Sequence, residues 1–201
     1  MENQPKIFIT GGISSGKSKY AEEQALSIYK ASFGGGLSPS SDLGPARPGH
    51  NPLHFIATAR IENLDSEMLL KIKRHKEKRS GIFIVHENFE DLPAAIDAVY
   101  KSFENKNGII LIDSLTLWLS SIFKNLSDFD FAQEAVLRLS KYLKEIKCSV
   151  ITVADSLGFN MVPADVYLRK FIELNGLMEQ ELSALSDKAF CIIAGNPVLL
   201  K

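Results

Sequence analysis

The residues Gly11-Gly12-Ile13-Ser14-Ser15-Gly16-Lys17-Ser18 leave the N-terminal part of this chain little freedom in how it folds. They follow the apolar run Ile7-Phe8-Ile9 and precede a helix-forming run that begins near Lys19. The order is strand, glycine-rich loop, helix. Gly11 and Gly16 reach backbone angles closed to residues with a Cβ, so successive N–H groups can turn inward around an anion. The head of the helix adds unpaired N–H groups and the positive end of its dipole. In this setting G-x-x-x-x-G-K-S is a phosphate-binding P-loop. Lys17 is then the cation for the outer phosphates, and the Ser18 hydroxyl is a ligand for Mg²⁺. The alternative is a chance glycine turn, and the flanking strand and helix weigh against it.

The rest of the chain repeats the strand–helix alternation. Strands are expected at Lys6–Thr10, His54–Ala57, Ile82–Val85, Ile109–Ile112, Ser149–Val153 and Ala189–Ala194. Their runs are continuously apolar, as in parallel strands buried on both faces. Helices are expected at Ser18–Tyr29, Asp65–Arg79, Pro93–Phe103, Ala132–Lys147 and Ala164–Leu185. This pattern predicts an α/β, P-loop NTPase-like fold, with a mostly parallel central sheet flanked by helices. The 201 residues suit a single nucleotide-binding domain over 1–201. Residues 32–52 interrupt it. Gly34-Gly35-Gly36, Pro39, Gly44, Pro45, Pro48, Gly49 and Pro52 predict a flexible surface insertion, with a lid over the nucleotide as the functional alternative.

Composition narrows the function classes. The formal net charge of -1 excludes a polyanion binder that works by overall charge. Basic residues form only one short run, and there is no nucleic-acid-binding module. No apolar segment is long enough to span a membrane, and the N-terminus lacks the features of a signal peptide, so a cytoplasmic protein is expected. Cys148 and Cys191 sit in expected core strands and read as buried free thiols.

Two further features carry chemistry. Ile109-Ile110-Leu111-Ile112-Asp113 is an apolar strand ending in a carboxylate, which beside a P-loop suits Mg²⁺ binding. A turn or helix-cap role is the plain alternative. Lys71-Ile72-Lys73-Arg74-His75-Lys76-Glu77-Lys78-Arg79 packs six Lys or Arg residues around one histidine. His75 shares a helical face with Ile72 and Met68. A neutral imidazole among cations can attack a nucleotide's α-phosphate. The bland reading is a solvated helix end that complements the dipole. His50, His54 and His86 are weaker candidates, and no spacing suggests a His/Cys metal cluster.

Several stretches recur together in one order: Ile9 to Ser18, Phe55-Ile56-Ala57-Thr58-Ala59, Glu67-Met68, the surroundings of His75, Leu111-Ile112-Asp113-Ser114-Leu115-Thr116-Leu117-Trp118-Leu119, and Gly195-Asn196-Pro197. With them the chain resembles the bifunctional adenosylcobinamide kinase/adenosylcobinamide-phosphate guanylyltransferases of cobalamin biosynthesis. The resemblance implies two reactions. A nucleoside triphosphate, ATP or GTP, phosphorylates adenosylcobinamide. GTP then gives GMP to adenosylcobinamide phosphate through a guanylyl-histidine. It also implies that His75 carries the GMP, with Lys17 as the other catalytic residue, and that Gly11 to Ser18 cradle phosphates. Ala57, Thr58 and Ala59 line the nucleotide site. Lys76, Glu77, Lys78, Arg79 and Glu87 contact GTP, and Asp113 serves nucleotide or Mg²⁺. The family is similar to trimers with nucleotide sites near subunit boundaries, so a homo-oligomer is expected.

The chain departs from the pattern at Asp155-Ser156-Leu157-Gly158, where Asn-Glu-Val-Gly is usual, so a carboxylate has moved or been lost. Other departures are Ser114 for Cys, Ser121 for Asn, and Ile172-Glu173 and Glu179-Gln180 for Arg-Asp and Asn-Gln. Two other readings keep the P-loop: a small-molecule kinase without guanylyl transfer, and a low-turnover nucleotide-binding regulatory protein.

Overall fold

The computed structural model describes residues 4–33, 52–59, 82–103, 107–158 and 162–201. Its strands are β1 (Lys6–Gly11), β2 (Leu53–Ala57), β3 (Ile84–His86), β4 (Ile109–Asp113), β5 (Ser149–Val153), β6 (Lys188–Ile193) and β7 (Asn196–Leu199). Its helices are α1 (Lys17–Phe33), α2 (Leu92–Ser102), α3 (Leu115–Ile122), α4 (Phe129–Glu145) and α5 (Val166–Leu185), with a 3₁₀ turn at Leu126–Asp128.

The strands form one sheet in the order β3-β2-β4-β5-β1-β6-β7. All neighbours are parallel except β6 and β7. Every residue of β1 and β5 is buried. Alternation explains why: Phe8, Ile110 and Ile112 face one core, while Ile7, Ile9, Ile109 and Leu111 face the other. Helices α2, α3, α4 and α5 cover the first core, and α1 covers the second through Ala21 and Ala25. The expected helix at Asp65–Arg79 and nearly all of the 32–52 insertion lie outside the described residues.

Two elements were not expected. Leu115–Ile122 is apolar around most of its circumference, so it shows no helical stripe. Its start is nevertheless marked by the Ser114 side chain, which accepts from the Leu117 N–H. Strand β7 contains Pro197, which argues against a central strand but is tolerated at an edge. Ala194, expected inside β6, lies instead in the turn between β6 and β7. Ala194 and Gly195 both have positive φ, 50° and 82°, as a tight two-residue hairpin requires.

The base of β1 is tied down by a buried lysine. Lys6 Nζ donates to the carbonyls of Ile146 and Cys148, each at 2.8 Å. Its own N–H donates to Asp187 Oδ2 at 2.7 Å. The side chain thus closes the carbonyls of the α4–β5 connection. Burial pushes its pKa down, against the opposing pull of Cys148 and Asp187. Cys148 and Cys191 are buried free thiols, and burial raises Cys148 to about 11.

Replacing Lys6 by Met would leave both carbonyls without that donor. We expect Lys6→Met to lower unfolding free energy by about 2 kcal/mol or more, at about 1–3 kcal/mol per orphaned buried group. Urea denaturation with an unchanged slope checks this, and an unaltered midpoint would show that the clamp contributes nothing.

Candidate active site

The loop after β1 has the shape its sequence demands. Gly11 and Gly16 have φ of 145° and 101°. A Cβ on Gly11 would lie 2.5 Å from the Ile192 carbonyl oxygen, so any side chain there would drive β1 from β6. Ser15 N–H donates to the Gly12 carbonyl at 3.2 Å, and Gly195 N–H donates to the Ser15 carbonyl at 3.0 Å. The β6–β7 turn therefore braces the loop from outside. Helix α1 begins directly beneath, with Tyr20 N–H donating to the Gly16 carbonyl. The first N–H groups of any α-helix lack partners within the helix, so this end can receive an anion. Ser15 Oγ is buried with no hydrogen-bond partner, a polar atom that suits a phosphate oxygen.

Lys17 is buried, and its amine is held at the loop rim. Nζ donates to the Gly12 carbonyl at 2.6 Å and pairs with Asp155 Oδ1 at 2.7 Å. The carboxylate on the P-loop lysine is Asp155, just past the end of β5. Strand β5 lies beside the P-loop strand, while Asp113, expected to serve nucleotide or Mg²⁺, is two strand spacings from the loop, about 10 Å. Sequence reasoning weighed Asp155 only as a departure from the family pattern. The usable signal was the same as at Asp113, an apolar strand followed by an acid.

A polar network extends beneath. Thr10 Oγ1 donates to Glu179 Oε1, and Asn175 Nδ2 donates to Glu179 Oε2 at 3.4 Å. Ser156 N–H donates to the Gly11 carbonyl at 2.9 Å. Burial raises the Glu179 pKa. Hydrogen bonds from Thr10 and Ser156 and the charge on Lys17 oppose the rise, and Asp155 adds to it.

The other expected residues fall along the same edge of the sheet. Ala57 ends β2, with Thr58 and Ala59 just beyond it. Thr58 is buried and tied to the β4 end, its N–H donating to the Asp113 carbonyl and its hydroxyl to the Ser114 carbonyl. These three residues line a hollow with Asn88, Asp91 and Trp118. Glu87 follows β3 and is half-buried. Ser18, one residue into α1, is also half-buried. From the P-loop strand to β2 and β3 there are three and four strand spacings, about 14 and 19 Å. The structure thus brings the P-loop and Lys17 together and lines the rest up along one rim. His75, Lys76, Glu77, Lys78, Arg79 and His50 lie outside the described residues. His54 and His86 form a pair instead of a site: Nδ1 and Nε2 are 2.8 Å apart, the rings are stacked, and burial lowers the His86 pKa.

Among the described residues, no group of three or more His, Cys, Asp or Glu side chains could hold a metal ion. A cation here would need ligands from a bound phosphate as well as from the protein. Among the described residues no helix is long and apolar enough to cross a membrane.

Known proteins resemble this chain over most of its length. The profile of the family described as cobinamide kinase / cobinamide phosphate guanyltransferase matches residues 40–200. The bifunctional adenosylcobalamin biosynthesis protein CobP of Pseudomonas aeruginosa is 28% identical over 96% of this chain and 96% of its own length. CobU of Escherichia coli, with the same description, is 25% identical over 97% of this chain and 99% of its own. A solved KaiC-like protein from Pyrococcus horikoshii is 15% identical over 94% of this chain and 70% of its own, with a TM-score of 0.44, a likeness too loose to bear on fold, function or site.

The raised Glu179 carboxyl has a measurable sign. A carboxyl whose folded pKa lies above its unfolded value contributes stability fully present below the ordinary glutamate range, lost as pH rises through the raised value. Glu179→Gln keeps an acceptor for Thr10 without the charge. We expect its melting temperature, relative to wild type, to be higher at pH 8 than at pH 4. A difference independent of pH would mean that the carboxyl is not perturbed.

Proposed function

The chain belongs to the cobinamide kinase / cobinamide phosphate guanyltransferase family, and we propose that its single P-loop grips the nucleotide for both of that family's reactions. The observation that carries this reading is the buried Lys17 amine at the rim of an intact glycine loop. In the kinase reaction a nucleoside triphosphate, ATP or GTP, places its phosphates in the cradle of Gly11, Gly12, Ile13, Ser14, Ser15 and Gly16. The loop N–H groups and Lys17 hold negative charge where it develops on the transferring group. An oxygen of the aminopropanol hydroxyl of adenosylcobinamide bonds to the γ-phosphorus, and the bond to the bridging oxygen breaks.

In the guanylyl transfer, the His75 imidazole bonds to the α-phosphorus of GTP and pyrophosphate leaves. An oxygen of adenosylcobinamide phosphate then displaces the histidine, giving adenosylcobinamide-GDP. Ala57, Thr58, Ala59 and Glu87, with Lys76, Glu77, Lys78 and Arg79, form the GTP surface around that histidine. Ser18 and Asp113 would hold Mg²⁺, which would neutralise phosphate charge. The Ala57–Ala59 and Glu87 rim lies three to four strand spacings from the P-loop along the same edge of the sheet. The family resemblance, in which sites lie near subunit boundaries, is the support for a homo-oligomer, a trimer in the cytoplasm.

Incubation with GTP and Mg²⁺ is expected to leave an acid-labile GMP adduct, read by intact-protein mass spectrometry. His75→Ala should abolish it. Lys17→Ala should lower the labelling rate about 100-fold or more, the usual scale for removing a charge-stabilising group. Equal labelling of the His75 variant would remove the nucleophile assignment. A wild type that phosphorylates cobinamide but never takes up GMP would leave only the kinase.

A further inference from the structure

The Lys17–Asp155 contact goes beyond nucleotide binding. We propose that Asp155 is the proton acceptor of the kinase step, taking the hydrogen of the acceptor hydroxyl as that oxygen bonds to the γ-phosphorus. The assignment rests on the kinase reading above.

Three observations carry it. The first is position. Asp155 Oδ1 lies 2.7 Å from the amine that a P-loop extends to the outer phosphates. It also follows β5, the immediate neighbour of the P-loop strand, at the carboxyl edge where open α/β sheets bind ligands.

The second is rigidity. Asp155 N–H donates to Thr116 Oγ1 at 2.8 Å, Thr116 Oγ1 donates to Asn175 Oδ1 at 3.0 Å, and Asn175 Nδ2 donates to the Asp155 carbonyl at 2.9 Å. This closed ring fixes the Asp155 backbone from both sides. Thr116 and Asn175 are buried, so the ring is shielded from water. A proton acceptor needs such placement, because a small displacement of a reacting group costs much rate.

The third is access. The Asp155 side chain is 22% exposed, open enough for an alcohol to reach. Glu179, the other carboxylate of the network and equally half-buried, is held at both ends. Both of its oxygens are engaged, by Thr10 and Asn175, below the loop.

The step balances. Incoming phosphates draw Lys17 off Asp155 and leave the carboxylate with its lone pair free. The alcohol oxygen bonds to the γ-phosphorus, its proton moves to an Asp155 oxygen, and the nucleoside diphosphate departs with the electron pair of the broken bond. Solvent then removes the proton. The moved carboxylate of the Asp155-Ser156 stretch thereby has a place: it stands one residue earlier, on the lysine.

Guanylyl transfer provides the discriminating control, because its acceptor is already an ionised phosphate and needs no alcohol deprotonation. A residue that only holds Lys17 would affect both reactions, since both need that lysine. The experiment measures, for wild type, Asp155→Asn and Asp155→Glu, the saturating rate of phosphoryl transfer to adenosylcobinamide, the rate of GMP transfer to adenosylcobinamide phosphate, and the Kd for the triphosphate. We expect Asp155→Asn to lower the kinase-to-guanylyl rate ratio by about 100-fold or more, the scale of lost general-base catalysis. The Kd should hold steady or tighten, and Asp155→Glu should recover part of the ratio. A ratio within about threefold of wild type overturns the assignment, whether both rates fall together or neither does. Unaltered nucleotide affinity shows that the Asn variant is folded. A wild type that binds nucleotide yet phosphorylates no cobinamide removes the kinase reading itself, and this assignment with it.

Discussion

The close approach of Gly11 to the Ile192 carbonyl is the contact on which the site depends. Strand β1 lies between β5 and β6, and its last residue turns out of the sheet against its neighbour's backbone. Only a residue without a Cβ can make that exit, and the φ of 145° is likewise open to glycine. The turn leads directly into the loop and the first turn of α1. The β6–β7 hairpin fixes the outer side through Gly195 N–H and the Ser15 carbonyl. The buried strands below supply the stiffness, with Lys6 closing the opposite end of β1.

Strand order decides which side chain can do what. Parallel strands deliver their carboxyl ends to one edge, so the P-loop, Asp155, Asp113, Thr58 and Glu87 stand in a row. Insertion of β5 between β1 and β4 gives the loop a near acid and a far one. The near acid contacts the lysine. The far acid begins the segment whose backbone holds Thr58. Neither arrangement needs a special residue; both follow from the crossovers of an ordinary parallel sheet.

Much of this was legible in the sequence. Continuous apolar runs announced buried parallel strands, and the glycines, Lys17 and Ser18 announced the loop. What escaped had physical reasons. Helix α3 is apolar on too many sides to show a period, and β7 is disguised by Pro197 at an edge position. Asp155 looked like a lapse from a family pattern because its value lies in a contact with Lys17, far away in sequence. Glu179 was invisible as a partner of Thr10 for the same reason, since helix α5 and β1 lie far apart in sequence. The role of His75 rests on the family resemblance and on its cationic neighbours.

The paired imidazoles of His54 and His86 carry a consequence for the opposite margin of the sheet. One ring donates to the other, so at least one of the two must keep a lone pair to accept, and the contact is lost when both carry a proton. Burial already disfavours the charged form of His86. As acidity rises past the ordinary imidazole value, the unfolded chain takes up the proton more readily than the fold does. Among the described residues, the short outer strand that carries His86 pairs with β2 alone. It is therefore the hem of this sheet, the seam along which mild acid would begin to unpick it.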